Sequence, residues 1–344
     1  MTLPAGKLRA DLLAEMLATV RSADSRVLLG PGIGRDAAVL DVGGGRALVA
    51  TTDPVTFAVD EIGRYAVNVN ANDIACMGAQ PAWFLATVLL PPGTEEEEAR
   101  AIFGQITQSC SALGIELVGG HTEVTLGLTR PIVCGTMLGE GRRDRIVMGR
   151  GAAPGDAILL TKGIAIEGTA LLALESPAQL SAAGVSADAI ERAAGLLRDP
   201  GVSIVSDAKA LCSAVRPRAL HDPTEGGLAT ALWELAEATG ATLRVDPDAI
   251  YVYDETRIVC TAVGVDPMGL LASGALLAVT AGQESGRAIQ ALADVKIACR
   301  AIGTIEAGPP RVILGAGDST RPLGRFPRDE IARFYEGDAG EWRH

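Results

Sequence analysis

"YAVNVNANDIACMGAQPAW", residues 65–83, sets Asn68, Asn70, Asn72 and Asp73 among positions that are almost all apolar or small. At helical spacing Asn68 and Asn72 share a face, and Asp73 sits one step round from Asn72. A solvated helix face is more commonly Lys, Glu, Gln or Arg, because Asn and Asp compete for nearby backbone groups and form helices poorly. The stretch reads as a helix whose polar side chains are aimed at something polar, with an ordinary solvated face as the alternative.

Composition bounds what that polar object is. A chain of 344 residues exceeds one usual core, so two domains of about 150 residues each are expected. Hydrophobic residues make up 48%, enough for two cores, although aromatics are only 3%. Acidic residues outnumber basic ones 42 to 30, the reverse of a nucleic-acid binder. The densest basic cluster, "GRRDRIVMGR" (141–150), is broken by Asp144 and reads as a solvated linker. Six cysteines sit singly among apolar neighbours with no C-x-x-C pair, as reduced core residues of a cytoplasmic protein do. The first 20 residues carry Lys7, Arg9, Asp11 and Glu15, which suits an amphipathic helix and not a signal peptide. No apolar run approaches the roughly 20 residues of a membrane span.

Elements alternate along the chain. "RALVATTDP" (46–54) reads as a buried strand with Asp53 at its exit. "TEEEEARAIFGQITQSCSALG" (94–114) is the clearest helix: Thr94 is its expected cap, the glutamates suit its positive end, and Ala99, Ile102, Phe103, Ile106, Cys110 and Leu113 form its apolar face before Gly114. Strands are expected at "IELVGG" and "RPIVCGTMLG". Residues 141–156 mark a boundary between domains 1–148 and 149–335. Beyond it lie the strand "DAILLTKG", helices near 165–175, 186–198 and 203–215, and a strand, loop and helix in "RALHDPTEGGLATALWELAEATG" (218–240). The order indicates mixed α/β in both halves.

Four loops carry candidate chemistry: "GPGIGRDAAVL" (30–40), "TTDP" (51–54), "NANDIACMGA" (70–79) and "GGHTEV" (119–124). They set Asp36, Asp53, Asp73 and the His121/Glu123 pair beside small residues, where backbone approaches a ligand closely. Carboxylates gathered in one place need a cation to stay ionised, and hard oxygen donors select magnesium or manganese. A fifth loop, "HDPTEGGLA" (221–229), opens a helix at Gly226 and Gly227 just after Asp222, and free amides at a helix start suit an anion.

In this order and spacing, G-x-G-R-D-A-A-V-L, T-T-D-P, N-x-N-D-I-A-x-M-G-A-x-P, G-G-H-T-E and D-P-T-x-G-G-L-A resemble the aminoimidazole ribonucleotide (AIR) synthetase-related superfamily, from about residue 27 to 305. That superfamily includes selenophosphate synthetase, thiamine monophosphate kinase and the carbamoyl-dehydratase type of hydrogenase expression/formation protein. The second half looks nearest to this last branch through "HDPTEGGLATALWELAEATG" and "VGVDPMGLLASGALL". The resemblance implies an N-terminal α/β domain that binds ATP and metal and forms a β-barrel across a homodimer, followed by a C-terminal α/β domain.

It also implies ATP and Mg2+ as cofactors, with Asp36, Asp53, Asp73 and Asp222 as metal ligands. Gly34, Thr52, Asn72, Gly119, Gly120, Thr122, Gly226 and Gly227 then contact the nucleotide. His121, Glu123 and Lys162 are the catalytic candidates, and Lys7 and Lys162 are candidate phosphate contacts. The implied activity is ATP-dependent phosphorylation or activation of a small-molecule or carbamoyl/amide-like acceptor, with a partner protein left open. The alternative is a non-catalytic nucleotide-binding scaffold or regulator of the same fold. Thiamine monophosphate kinase activity is a further alternative, against which stands G-G-H-T where that family has G-G-D-T.

The sequence departs from the hydrogenase branch at three places. Glu225 stands where that branch has arginine in D-P-T-R-G-G, "ASGALL" (272–277) replaces N-E-G-K-L, and "GDAGEWRH" carries no cysteine where that branch ends in one.

Overall fold

The computed structural model describes residues 8–21, 23–56, 58–315 and 319–337. Lys7 therefore lies outside the described residues. The chain divides into two compact units. One holds residues 22–31 and 36–146, and the other holds 1–21, 32–35 and 147–344.

The first unit is built on β1 (Val27–Leu29), β2 (Ala38–Gly43), β3 (Arg46–Val55), β4 (Gln80–Leu90), β5 (Glu116–Val124) and β6 (Ile132–Arg142). They form one open mixed sheet in the order β1-β2-β3-β6-β4-β5. Only the β4–β5 pair is parallel, and the helix Glu96–Leu113 makes its crossover. The segment 46–54 is a strand as expected, but burial alternates along it, so one face is covered and the other is partly open. The helix Ile62–Cys76 covers β3 and β6. Its close approach is set by β6, where a Cβ on Gly135 would collide with Asn70 Nδ2 and one on Gly139 with Ile74 Cγ2. Tyr65, Ile74, Phe84, Ile106 and Met137 are fully buried in this unit, each worth about 1.5–3 kcal/mol of transfer free energy.

The helix Glu96–Leu113 ends as its sequence predicts. Gly114 takes the left-handed conformation at φ 68, and Ile115 N reaches back to Cys110 O at 2.9 Å. Its start differs. The capping position is Glu95, and Thr94 Oγ1 donates to Pro91 O at 2.8 Å, closing the preceding turn instead. Ile102, Ile106 and Cys110 are buried on the expected face, while Phe103 is 54% exposed.

The second unit carries β7 (Ala157–Thr161), β8 (Ala219–His221), β9 (Thr242–Val245), β10 (Leu277–Thr280), β11 (Cys299–Glu306), β12 (Arg311–Leu314) and β13 (Arg321–Pro322). Their order is β13-β12-β9-β11-β7-β10-β8, antiparallel except for β9–β12. β7 is buried along its whole length, as a central strand must be. The helix Gly227–Thr239 packs Leu228, Leu232 and Leu235 into the core with Ile158, Leu243, Val279 and Ile302. A short helix, Pro177–Ala182, has no counterpart in the sequence reading. Six residues give it too little periodicity to register.

Candidate functional site

The polar cluster of the opening stretch is buried. Asn70 and Asn72 are fully covered, and Asn68 and Asp73 nearly so, which removes the solvated-face alternative. The helix meets β3 through them. β2 pairs with β3 only as far as Ala38↔Ala50, which leaves the next residues of β3 without a strand on that side. Asn70 takes the missing strand's place: its Oδ1 accepts from Asp53 N at 3.0 Å, and its Nδ2 donates to Asp53 O at 3.2 Å and to Ala66 O at 2.8 Å. Thr51 Oγ1 lies 2.6 Å from Asp73 Oδ2 and 2.9 Å from the backbone oxygen of Asp36. Thr51 is thus the joint at which the segments carrying Asp36, Asp53 and Asp73 come together. Its neighbour Asp53 drew attention in the sequence, while Thr51 itself did not.

Strand alternation separates the remaining candidates of this unit. The ladders align Asp53, Gly135, Ala86 and Gly120 in one row on the helix-covered face. Thr122 is on that face as well, opposite Val88. Gly120, at φ 149, has no room for a Cβ against Ala86 O. Thr52, Gly119, His121 and Glu123 project from the other face. Thr52 Oγ1 donates to Gly135 O at 2.7 Å, and His121 Nε2 pairs with Glu123 Oε2 at 3.1 Å on the exposed edge strand. "TTDP" and "GGHTEV" are therefore strand and not loop, and "NANDIAC" is helix. His121 and Glu123 are not brought to Asp53 and Asp73.

The second unit holds the other candidates. Gly34, at φ 66, lies so close to the helix Gly227–Thr239 that a Cβ would sit 3.2 Å from Glu234 O. Glu234 Oε2 in turn pairs with His221 Nε2 at 2.9 Å, beside the buried Asp222. The ammonium of Lys162 is spent within the unit. It donates to Ser203 O at 2.7 Å and Gly274 O at 2.9 Å, and it pairs with Asp207 Oδ2 at 3.2 Å. Burial lowers its pKa, while the Asp207 charge holds it up. Thr161 Oγ1 fixes the other Asp207 oxygen at 2.7 Å. Lys162 is placed as an internal strut, with a strained φ of 54.

The Gly226 and Gly227 amides are occupied too. Gly226 N donates to Asp329 Oδ2 at 2.5 Å and Gly227 N to Thr224 O at 3.0 Å. Two acids the sequence did not flag stand close by. Glu167 is in the first turn of the buried helix Ile166–Glu175, and burial, reinforced by Asp329 and Asp222 against the relief given by Ser273, pushes its carboxyl up to about 7. Burial and the nearby Glu225 push Asp329 up to about 6, against three backbone amides that favour its charge.

Among the described residues all six cysteines are free thiols, three of them buried. Burial raises Cys110 to about 11 and Cys260 and Cys299 to about 12, which keeps these thiols protonated at neutral pH. No described helix is long and apolar enough to cross a membrane.

The AIR synthase related protein N-terminal domain matches residues 34–140, and the corresponding C-terminal domain matches residues 153–315. A putative hydrogenase expression/formation protein of Methanocaldococcus jannaschii is 25% identical over 264 residues, covering 75% of each chain. Carbamoyl dehydratase HypE of Cupriavidus necator is 29% identical over 266 residues, covering 75% of this chain and 72% of that one. The crystal structure of the hydrogenase maturation protein HypE in complex with ATP superposes with a TM-score of 0.70 at 23% identity, covering 96% of this chain and 98% of that one. Two successive domain matches and an ordered set of loops now agree: the chain belongs to the AIR synthase related family.

Proposed function

We propose that the protein is an ATP- and magnesium-dependent enzyme of the phosphoryl-transferase or ligase kind, which activates a small-molecule or carbamoyl/amide-like acceptor. The observation that carries this reading is the Thr51 joint, with Asp73 Oδ2 and the Asp36 carbonyl on one hydroxyl and the Asp53 backbone pinned by Asn70. The hydroxyl, carbonyl and carboxylate oxygens on this joint are the donors that hard divalent cations prefer, although the Cys76 thiol also approaches the Asp36 carboxylate. Asp36, Asp53 and Asp73 would hold magnesium in the first unit, with Asn72 and Thr122 toward the nucleotide. In the second unit, Asp222 is a candidate metal ligand, and Gly34, Gly226 and Gly227 are candidate nucleotide contacts. Bound magnesium would neutralise charge on the moving phosphoryl group, and the protein would supply position.

The named activity of relatives such as carbamoyl dehydratase HypE supports the reaction class. Glu225 and the stretch 272–277 support a different acceptor, since both alter charge beside the region where phosphate and substrate would lie. We assign the ATP- and metal-binding domain to residues 1–148 and the C-terminal domain to 149–335, with the segments 8–21 and 32–35 of the first packing in the second compact unit. The free thiols suit a cytoplasmic protein. The exposed edge strand β5 suits a homodimer that continues the sheet toward a barrel.

Calorimetric titration with ATP, with and without magnesium, tests the reading. Binding is expected only with the cation, and ADP formation should rise with one member of a metabolite panel. Asp73→Asn keeps an acceptor for Thr51 but removes a charge, so magnesium-dependent affinity should fall at least ~10-fold, about 1.4 kcal/mol, without loss of thermal stability. Equal ATP affinity in chelator, or a destabilised variant that binds Mg-ATP normally, would remove the metal assignment.

A further inference from the structure

The helix Ile166–Glu175 begins pressed against residues 270–271. Gly168 N donates to Leu271 O at 2.8 Å, and a Cβ on Gly168 would collide with Leu270 Cγ. An acid in a first helical turn ordinarily faces solvent, where it complements the helix dipole. Here Glu167 is turned inward, 6% exposed, with its carboxyl toward Ser273, which is 1% exposed. Ser273 lies near enough to ease the carboxylate charge, yet neither Glu167 Oε2 nor Ser273 Oγ closes a hydrogen bond among the described residues. Buried polar atoms left open in this way cost free energy that a bound polar group recovers.

The backbone on both sides of Ser273 is fixed. Leu271 N donates to Asp329 Oδ1 at 3.3 Å, Ala272 N to Thr224 O at 3.3 Å and Leu276 N to Thr161 Oγ1 at 2.9 Å, while Lys162 Nζ donates to Gly274 O at 2.9 Å. The Ser273 hydroxyl is therefore an open donor on a pinned turn, beside an open carboxylate acceptor. With N-E-G-K-L laid on Ala272–Leu276, Ser273 stands in place of the glutamate, and Glu167 brings a carboxyl back beside that position from a different element. Asp329 and Asp222 add negative charge there, and the ammonium of Lys162 is committed to Asp207.

We infer that Glu167 and Ser273 are a specificity-determining pair that seats a neutral primary-amide or carbamoyl group, Glu167 Oε2 accepting its N–H and Ser273 Oγ donating to its carbonyl oxygen. A carboxylate brings no N–H and is repelled by the surrounding acids. An amidinium brings no oxygen for the serine. That the seated group is the acceptor of phosphoryl transfer rests on the ATP reading above.

The test titrates the full chain, without nucleotide, with three molecules of one shape, acetamide, acetamidinium and acetate, and follows the backbone amide resonances of Gly168 and Ser273. Acetamide is expected to bind the wild type at least ~10-fold more tightly than either ion. Glu167→Leu should abolish the shifts, and Ser273→Ala should bring acetamide and acetamidinium level. Acetate binding as well as acetamide, shifts that persist in Glu167→Leu, or no shift with any of the three overturns the seat. In that last case a water-to-amide Overhauser signal at Ser273 would assign the two open atoms to an ordered water only. Should Glu167→Leu not fold, the order of the three ligands on wild type and Ser273→Ala decides. Mg-ATP binding is measured separately, so failure of the seat and failure of the ATP reading are read independently.

Discussion

Glu167→Gln should make the protein more stable at pH 8, although it alters a side chain in a packed interior. Glu167 is 6% exposed, and its carboxyl is raised from 4.5 to about 7, first by burial and then by the Asp329 and Asp222 charges. At about 1.4 kcal/mol per pKa unit, ionising it inside the fold costs about 3 kcal/mol, and full burial leaves little solvent screening to discount.

A raised carboxyl favours the folded state below about pH 4.5, and that contribution is lost as pH rises through about 7. Glutamine fills the same volume without the titration. Wild type and variant should therefore have similar stability near pH 5, and by pH 8 the variant should lead by up to about 3 kcal/mol. Urea unfolding at half-unit steps between pH 5 and 8 measures the gap as a change in midpoint at constant slope. Asp329, also raised, tilts both curves in the same direction, and because its charge acts on Glu167 the difference reports the coupled pair. Parallel curves, or a variant less stable than wild type at pH 8, would refute the argument by showing that Glu167 has a compensating partner in its charged form.

Asn70→Ala should destabilise the protein by about 3 kcal/mol, or ~6–12 °C in melting temperature, because it orphans the Asp53 amide and carbonyl and leaves a void against Gly135. A loss below ~2 °C would show that Asn70 is not the strand substitute described. Light scattering should report twice the 35.4 kDa chain mass, since Val118, Val124 and Leu126 are 54%, 62% and 87% exposed on and just beyond the edge strand β5. A stable monomer at micromolar concentration would count against the dimer.

The sequence made the two-domain mixed α/β architecture visible wherever periodicity and end signals coincided. The glutamates at the start of the helix Glu96–Leu113 and Gly114 at its end are such a case, and so is the leucine face of Gly227–Thr239. It marked Asn70 and Asp73 as unusual but not what they touch, because both face β3, about 20 residues earlier, through bonds that no local pattern encodes. Strand against loop was misjudged at "GGHTEV", where glycine and charge look like a turn but form an exposed edge strand. Lys162 looked like a phosphate contact only because Asp207, Ser203 and Gly274, which hold it, are distant in the chain. Asp329 and Glu167 carried no signal at all. An acid before a helix, or in its first turn, is ordinary until its neighbours are known.

The carboxamide of Asn70 also decides where the chain is allowed to go. By satisfying Asp53 from a helix, it makes further pairing by β2 unnecessary, so β2 begins only at Ala38 and residues 30–37 are released from the ladder. A longer β2 would have drawn Asp36 into the sheet as one more paired residue, with its carbonyl committed to a neighbouring strand. Instead that carbonyl meets a threonine hydroxyl, and the glycine-rich run before it keeps a freedom of path that no strand has. One asparagine thus shortens a β-sheet and thereby creates a loop.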